Sequence, residues 1–241
     1  METINDLVGY KNLKIFQNDD WFKFSLESVL LPNFASVNKS TKKILDLCTG
    51  NAPIPLILST KTNASIIGIE YQEDIFNLAE KTIKINNLEN QITLINDDLK
   101  NLKKYYKSDT FDLITVNPPY YKNQKLSTKN PDSHKAIARH EIATNLEEIV
   151  KVSRYLLKNG GRIAMIHKTE RFIEVINCLQ ENNLSPKRIK FIYPKEGKES
   201  NLFMVESIKN GKSEVIIECP LFVHNNDGTY QNEIQKIFQI S

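Results

Sequence analysis

Short apolar runs alternate along the chain with stretches in which apolar residues recur every three or four positions. The apolar runs contain almost no polar residue, which is typical of β-strands buried on both faces of a sheet. They span residues 43–49, 65–70, 91–96, 111–116 and 161–167. Helical patterns span 72–86 and 145–158, and a further helix is expected from Thr169, as its cap, through Leu179. This alternation predicts crossover connections and a parallel, doubly wound sheet.

The last third of the chain has a different pattern. Three apolar segments, 187–194, 201–208 and 213–223, follow one another without a helix, and Asn210-Gly211 between the last two favours a hairpin. Asn159-Gly160-Gly161 predicts the end of the preceding helix. The order of elements resembles that of class I methyltransferases. We therefore expect an α/β, Rossmann-like fold with a seven-stranded doubly wound sheet and a C-terminal antiparallel hairpin.

Composition narrows the class of protein. The 241 residues suffice for one large domain, which we place at 41–241, with an N-terminal extension over 1–40. Three cysteines without CxxC spacing indicate a reducing compartment and no zinc site. No apolar run approaches the ~18 residues of a membrane span, and the N-terminus does not resemble a signal peptide. We expect a cytoplasmic protein without metal or membrane. A monomer is expected, although the sequence does not determine the oligomeric state.

Small, acidic and amide residues mark the ends of the predicted parallel strands. They are Asp46, Cys48, Gly50 and Asn51, then Glu70, then Asp97 and Asp98, then Asn117. Ligands of open α/β sheets bind at this edge. Gly50 lets backbone approach a ligand, and Glu70 stands where an acid accepts hydrogen bonds from ribose hydroxyls. Asp97 or Asp98 would accept from an adenine amine, and both also suit the cap of a following helix.

Phosphate-binding motifs are missing from this edge. Neither G-x-G-x-x-G nor G-x-x-x-x-G-K-[ST] occurs in the sequence. An adenosyl ligand without phosphates therefore fits better than a dinucleotide or a nucleoside triphosphate. The sequence predicts S-adenosylmethionine as the cofactor.

The fourth strand ends in Asn117-Pro118-Pro119-Tyr120. An exocyclic amine or amide nitrogen attacks a sulfonium poorly, because its lone pair is delocalised. Two hydrogen-bond acceptors can hold such a nitrogen near the methyl group, and the Asn117 side chain and a backbone carbonyl are suitable. Prolines bring no N–H that competes and stiffen the segment. Tyr120 offers a ring for stacking on a flat substrate. Asn117, Pro118 and Tyr120 are the predicted catalytic residues. The alternative is a simple strand terminator.

Four segments together resemble the bacterial tRNA(Val) adenine-N6-methyltransferase family. They are DLCTGNAPIPLILS (46–59), GIEYQEDIFNLAEKTIKINNL (68–88), DLITVNPPYY (112–121) and AIARHEI (136–142). The opening segment 14–34 also resembles the part of that family which lies over the cofactor. The resemblance covers the chain from about Leu7 to Tyr230. It implies N6-methylation of an adenosine in tRNA, most specifically adenosine 37, immediately 3′ of the anticodon of tRNA(Val).

The resemblance also assigns roles to residues. Asp46, Gly50, Asn51, Glu70 and Asp98 would hold S-adenosylmethionine; Asn117, Pro118 and Tyr120 would hold the target adenine; Arg139, His140 and Glu141 would lie near the substrate. One departure is visible. The family's D-x-G-x-G-x-G turn keeps only Gly50 here, because Cys48 and Ala52 replace the outer glycines.

Two basic segments bear on RNA binding. The long connection after the fourth strand carries predicted substrate-binding residues, namely Tyr121, Lys122, Lys125, Arg139 and His140. Its cations suit phosphates and its rings suit a base, although a solvated loop has the same composition. The second segment, with Lys187, Arg188, Lys190, Lys195 and Lys198, is interpreted only as an exposed rim.

Two other functions are compatible with the segment Asn117-Pro118-Pro119-Tyr120, which we call the Asn117 corner. Glutamine N5-methylation of a release factor poses the same chemical problem, but those enzymes carry a separate N-terminal helical domain, and only about forty residues precede the first strand here. A non-catalytic RNA-binding protein that retains the fold is the second alternative, and Ala52 is the feature that favours it.

Overall fold

A computed structural model describes residues 1–18, 25–118 and 146–238. The strands are β1 (Glu2–Leu7), β2 (Tyr10–Asn18), β3 (Lys43–Leu47), β4 (Ser65–Glu70), β5 (Ile92–Asn96), β6 (Phe111–Val116), β7 (Leu157–Lys168), β8 (Leu184–Lys195), β9 (Leu202–Lys209), β10 (Ile216–Ile217) and β11 (Leu221–His224). The α-helices are α1 (Leu26–Phe34), α2 (Pro53–Ser59), α3 (Glu73–Ile85), α4 (Leu146–Leu156), α5 (Phe172–Glu181) and α6 (Asn232–Ile237). Two 3₁₀ helices span Leu99–Lys104 and Thr169–Arg171.

One large sheet organises the fold. Its strand order is β10–β8–β9–β7–β6–β3–β4–β5, and β11 also pairs with β8. Strands β3 to β7 pair in parallel, whereas β9 runs antiparallel between β7 and β8. The predicted class I methyltransferase sheet is confirmed in the seven strands from β5 to β8, and β10 and β11 are short additions. The chain reverses direction across the sheet between β3 and β6, which is the switch point where ligands bind.

Apolar side chains cover both faces of this sheet. Ile44 and Ile66 belong to the core packed under α1, α2 and α3. Their chain neighbours Leu45 and Ile67 belong to the core under α4 and α5. Successive strand residues point to opposite faces, so each central strand must be apolar throughout. The doubly wound arrangement therefore follows from the continuous apolar runs.

The hairpin predicted at Asn210-Gly211 is wrong. The antiparallel hairpin is formed instead by β8 and β9. The chain after Gly211 leads to β10, which pairs in parallel with the other side of β8. The reason is that β9 already has β7 and β8 as neighbours, so it has no free edge for a third partner.

Two predicted helix boundaries are also wrong. Helix α4 ends at Leu156, and β7 starts at the next residue. Gly160, with a φ of +75°, lies in an irregularity of the β6–β7 pairing rather than at a helix end. Thr169 does not cap α5, which begins at Phe172; its hydroxyl lies 3.0 Å from the Ser200 hydroxyl.

The N-terminal hairpin of β1 and β2 packs along α3. The backbone N–H groups of Lys14 and Phe16 donate to side-chain oxygens of Asn86 (2.9 Å) and Thr82 (3.0 Å). These bonds explain two polar residues on the inner stripe of an otherwise apolar helix face. None of the described helices is long and apolar enough to cross a bilayer.

Candidate functional site

The ends of β3, β4, β5 and β6 lie at one edge of the sheet, which we call the catalytic edge. Asp46 pairs with Gly68 in β4 and with Thr115 in β6. Glu70 pairs in turn with Asn96 at the end of β5. The residues that follow these strands are therefore neighbours. The structure brings together the predicted strand-end residues from Asp46 to Asn117.

The turn between β3 and α2 has an unusual backbone. Cys48, Gly50 and Ala52 have φ angles of +57°, +60° and +69°, all in the left-handed region. They are the three positions that the pattern D-x-G-x-G-x-G would give to glycine, and Cys48 and Ala52 adopt there the left-handed backbone that favours glycine. A Cβ on Gly50 would meet no atom of the described residues within 4 Å. Open space therefore faces the turn at its centre.

Asp46 holds this turn to the neighbouring strands. Its side chain is fully buried, and its two oxygens accept hydrogen bonds from the Thr49 and Thr115 hydroxyls, both at 2.6 Å. Gly68 makes room, because a Cβ there would lie 2.9 Å from the Thr49 Oγ1. Burial raises the pKa of Asp46 from 3.8 to about 7. Both oxygens are already used inside the protein.

Glu70 and Asn51 fix the two sides of the turn. Glu70 is 7% exposed, and its oxygens accept from the backbone N–H of Gly50 (2.9 Å) and of Gln72 (3.0 Å). Burial raises the pKa of this carboxyl. The Asn51 amide donates to the Phe16 carbonyl at 2.7 Å, which joins the turn to the end of β2. That contact places part of the N-terminal extension beside the turn.

The structure distinguishes the two aspartates after β5. Asp97 accepts from the Asp98 N–H, the Asn101 amide and the Tyr105 hydroxyl at 2.7–2.8 Å, and the two side-chain bonds lower its pKa. Asp98 caps the 3₁₀ helix, since its Oδ1 accepts from the Lys100 N–H at 2.9 Å. Among the described residues no hydrogen bond reaches the Oδ2 of Asp98. Asp98 is therefore the better candidate for a ligand contact.

These carboxyl groups share a negative environment, and the charge of Asp98 also acts on the ammonium group of Lys100. Within the described ranges, no lysine or arginine forms an ion pair with Asp46, Glu70 or Asp98. Burial, followed by the charges of Glu70, Asp46 and Asp98, raises the pKa of the Cys48 thiol well above its ordinary value. Cys48 thus lies among all three carboxylates. Such a site favours a ligand that carries positive charge.

Asn117 and Pro118 stand across the switch point from the turn. Leu47 pairs with Val116, so Cys48 and Asn117 each follow a paired residue. Asn117 is partly buried and Pro118 is buried. Tyr120, Tyr121, Lys122, Lys125, Arg139, His140 and Glu141 lie outside the described residues. Their assignment to the substrate remains a prediction.

Two residues near this edge were missed. Tyr71 follows Glu70 directly, and the residue is 49% exposed although its backbone carbonyl accepts from the Asn96 amide. His167 is buried near the end of β7, two residues after Met165, which pairs with Val116. Burial and the Arg171 charge lower the pKa of His167 to about 4, so it is neutral at pH 7. The strand-end rule could have found Tyr71, whereas the burial of His167 has no signal in the sequence.

No group of three or more His, Cys, Asp or Glu side chains in the described part of the chain is arranged to hold a metal ion. The three cysteines are free thiols.

Comparison with known proteins identifies the family. A family model described as a methyltransferase domain matches residues 38–239. The chain belongs to this methyltransferase family. A relative from Parabacteroides distasonis, named tRNA1(Val) (adenine(37)-N6)-methyltransferase, is 29% identical over 192 residues, covering 79% of this chain and 78% of the relative. A Bacteroides thetaiotaomicron relative with the same name is 24% identical, covering 95% and 89%.

A solved structure supports the fold of this methyltransferase. The crystal structure of a predicted O-methyltransferase from Agrobacterium tumefaciens superposes with a TM-score of 0.70. The match covers 88% of this chain and 95% of that one at 14% identity. At such low identity the likeness concerns the fold alone.

Proposed function

We propose that this methyltransferase transfers a methyl group from S-adenosylmethionine to the N6 atom of an adenosine in tRNA. The observation that carries the proposal is the pairing of β3 with β6, which sets Asn117-Pro118 directly across from the turn around Gly50. The relatives named tRNA1(Val) (adenine(37)-N6)-methyltransferase support this substrate. The finer statement, adenosine 37 of tRNA(Val), rests on those relatives and on the motif resemblance.

The residues of the catalytic edge fit the cofactor. Gly50 leaves open space for a ligand against the backbone, and the uncompensated carboxylates suit a molecule with a sulfonium and an ammonium group. When bound, S-adenosylmethionine supplies a methyl group that the sulfonium has already activated. No phosphate-binding loop is required.

Each residue of the edge has a separate task in this proposal. Glu70 accepts from the ribose hydroxyls, the Asp98 Oδ2 accepts from the adenine amine, and the Tyr71 ring stacks on the adenine. Asp46 and Asn51 position the turn, because their polar atoms bond to Thr49, Thr115 and Phe16. Cys48 lies between the carboxylates and forms the bottom of the cofactor site. Residues 1–40 cover this site in part through β2.

Asn117 positions the substrate nitrogen. Its side-chain oxygen and the Pro118 carbonyl accept from the two N–H bonds of the target amine, which keeps the nitrogen lone pair directed at the methyl carbon. Pro118 and Pro119 have no N–H that could compete for these acceptors. Well-oriented reacting groups gain about 7–11 kcal/mol from geometry alone. The reaction therefore needs positioning rather than a strong general base.

Nucleoside analysis of tRNA tests the proposal. We expect tRNA from cells that lack this protein to lose N6-methyladenosine, and a plasmid copy of the wild-type gene to restore it. A copy with Asn117→Ala should not restore the nucleoside, although the protein accumulates to the same level. Unchanged N6-methyladenosine in the tRNA of cells lacking the protein would contradict the proposal, and loss of methylation from a release factor glutamine in the same cells would support the release-factor alternative instead.

A further inference from the structure

A groove of about 740 Å³ opens where β8 and β11 end. We call it the β8–β11 groove; its lining includes Pro194, Lys195, Gly197, Lys198, His224 and Asn225. Lysine, amide and imidazole groups supply hydrogen-bond donors along it. Glu199 is the single carboxylate in this lining. The lining thus combines apolar surface with the charged and polar ends of these side chains, which a charged ligand in contact with water could reach.

Basic residues of β8 differ in how their charges are paired. Arg188 donates to Glu218 at 2.6 Å, Lys190 donates to Glu233 at 2.6 Å, and Lys187 lies 3.5 Å from Glu214. In contrast, the ammonium groups of Lys195 and Lys198 form no hydrogen bond or ion pair with any described residue. The earlier interpretation of the whole segment as an exposed rim is therefore too coarse. Only its last two lysines are available to an anion.

Aromatic packing gives one wall of the groove a fixed shape. The His224 ring stacks on Tyr230, with centroids 5.0 Å apart and planes 23° from parallel. The Tyr230 ring in turn meets Phe238 edge to face. His224 Nδ1 also lies 3.3 Å from the Pro194 carbonyl, across the pairing of β8 with β11. The wall is held by the core of the protein.

The groove lies on the catalytic edge. Strands β8 and β11 run in the same direction as β6, because β9 is antiparallel to both β7 and β8. Three to four strand spacings, about 14–19 Å across the sheet, separate its strands from β6. Ile189 of β8 is level with Val116, so Lys195 also lies several residues beyond the level of Asn117. The loop beside the groove is bonded to the end of β7, since the Thr169 N–H donates to the Asn201 carbonyl at 3.1 Å. This bond ties the loop beside the groove to β7, which is the neighbour of β6 in the sheet.

We propose that the β8–β11 groove binds the phosphate backbone of the tRNA beyond the nucleotide that is methylated. This inference rests on the proposed function and adds a second point of contact to it. Two unpaired ammonium groups on the catalytic edge would meet phosphates of the stem while the target base occupies the corner. Such contacts are electrostatic and independent of sequence, so they orient the RNA without selecting the base.

Charge reversal tests the groove. We compare Lys195→Glu/Lys198→Glu with the matched control Lys39→Glu/Lys212→Glu, whose exposed lysines lie at the opposite edge and change the net charge equally. For the groove variant we expect about a tenfold or greater rise in KM for tRNA and a salt slope of binding lower by about 2. The control should stay within about twofold of wild type, and kcat at saturating tRNA should change little, because the reacting atoms are remote. Glu199→Gln should lower KM.

The outcomes separate the two claims. Equal KM changes in both double variants, or an unchanged KM in the groove variant of an enzyme that methylates tRNA, would overturn the groove while leaving the proposed function intact. If the wild-type enzyme binds adenosylhomocysteine but neither binds nor methylates tRNA, the proposed function fails and the groove inference fails with it. Adenosylhomocysteine affinity, measured by calorimetry, should be equal in all variants.

Discussion

Two sets of buried carboxylates in this protein are compensated in opposite ways. Glu206 on β9 is fully buried, and its oxygens accept from the Ser36 N–H (2.7 Å), the Ser36 hydroxyl (2.8 Å) and Arg162 (3.0 Å), with Arg188 at 3.5 Å. Asp46 is equally buried and Glu70 nearly so, but from the residues that the structure describes they receive only hydroxyl and backbone N–H donors. A carboxylate with arginine partners stabilises the fold. Carboxylates left without cations are costly to bury, and a cationic ligand would repay that cost.

The two sets of carboxylates also differ in their surroundings. Ser36 and Phe34 at the end of α1 bond to Glu206 and Arg188, so this network joins the helix to β8 and β9. The catalytic edge instead combines buried charge with the open space at Gly50. Unpaired charge beside open space is the feature that marks a ligand site.

Removal of the Asn117 side chain should have the largest effect. Asn117→Ala is expected to lower kcat by about 100-fold or more, because misplacement of the reacting nitrogen by about 1 Å already costs that much. Affinity for adenosylhomocysteine should stay within about threefold, as the turn is intact. Methyl transfer to tRNA and calorimetry measure the two quantities. Asn90→Ala, at an exposed position on the opposite edge, is the control. Equal losses of kcat and cofactor affinity would contradict the acceptor role.

Neutralising one carboxylate from each set tests the comparison directly. Glu206→Gln should lower the free energy of unfolding by about 2–4 kcal/mol, below the value for a fully buried pair because both arginines are about a third exposed. It should leave cofactor affinity unchanged. Glu70→Gln should weaken adenosylhomocysteine binding by about tenfold or more, since it replaces a charged acceptor with a neutral one. It should also lower the free energy of unfolding by about 1–3 kcal/mol, because the N–H of Gly50 or of Gln72 loses its acceptor. Urea titration measures the free energy of unfolding of each variant, and calorimetry measures its affinity for adenosylhomocysteine. Equal changes in stability and in cofactor affinity for the two variants would contradict the distinction between the two sets of carboxylates.

Physical reasons explain which of these features could be predicted from the sequence. Strands β3 to β7 were recognisable because burial on both faces demands continuous apolar residues. Their order along the chain then placed Glu70, Asp98 and Asn117 at one edge. The backbone at Cys48 and Ala52 was not predictable from these residue types, because left-handed conformations are rare outside glycine. Gly160 had a different limit: a left-handed backbone is ordinary for glycine, but its place in β7 rather than at a helix end depends on the distant pairing with β6.

Pairing between distant segments explains the other misses. Asn210-Gly211 has the composition of a hairpin, but the free edge that a hairpin needs was already occupied on β9. Arg188 and Lys195 look alike in the sequence, and only the positions of Glu218 and Glu206 show that one is paired. Local composition therefore predicted which elements form. Which polar groups remain available could be read only from the structure.

Asp46 should make stability depend on pH. Its pKa is about 7 in the folded protein and 3.8 ordinarily, so between these values the unfolded chain releases a proton that the folded one retains. The free energy of unfolding therefore falls as pH rises from 4 to 7, by an amount on the order of 2–4 kcal/mol. Asp46→Asn should flatten this dependence in urea titrations between pH 5 and pH 8, whereas the exposed Asp6→Asn should not. A wild-type slope retained in Asp46→Asn would assign the pH dependence elsewhere.

The smallest effect concerns the left-handed turn. Ala52→Gly relieves a left-handed alanine worth roughly 1–2 kcal/mol but loses a buried methyl of about 0.8 kcal/mol. We expect unchanged or slightly higher stability. The matched change Ala79→Gly in the interior of α3, also fully buried, should cost about 1.5–2 kcal/mol. The midpoints of urea unfolding compare the stabilities of the two variants. Equal losses at both positions would show that the turn stores no strain at Ala52.

Transfer of a labelled methyl group by the purified protein tests the central claim most directly. The protein is incubated with unmodified tRNA(Val) and S-adenosylmethionine carrying a trideuterated methyl group, and the digested nucleosides are resolved by mass spectrometry. We predict labelled N6-methyladenosine in the oligonucleotide that contains position 37. Absence of label from RNA, or label on a ring nitrogen or the ribose instead of N6, would contradict the account.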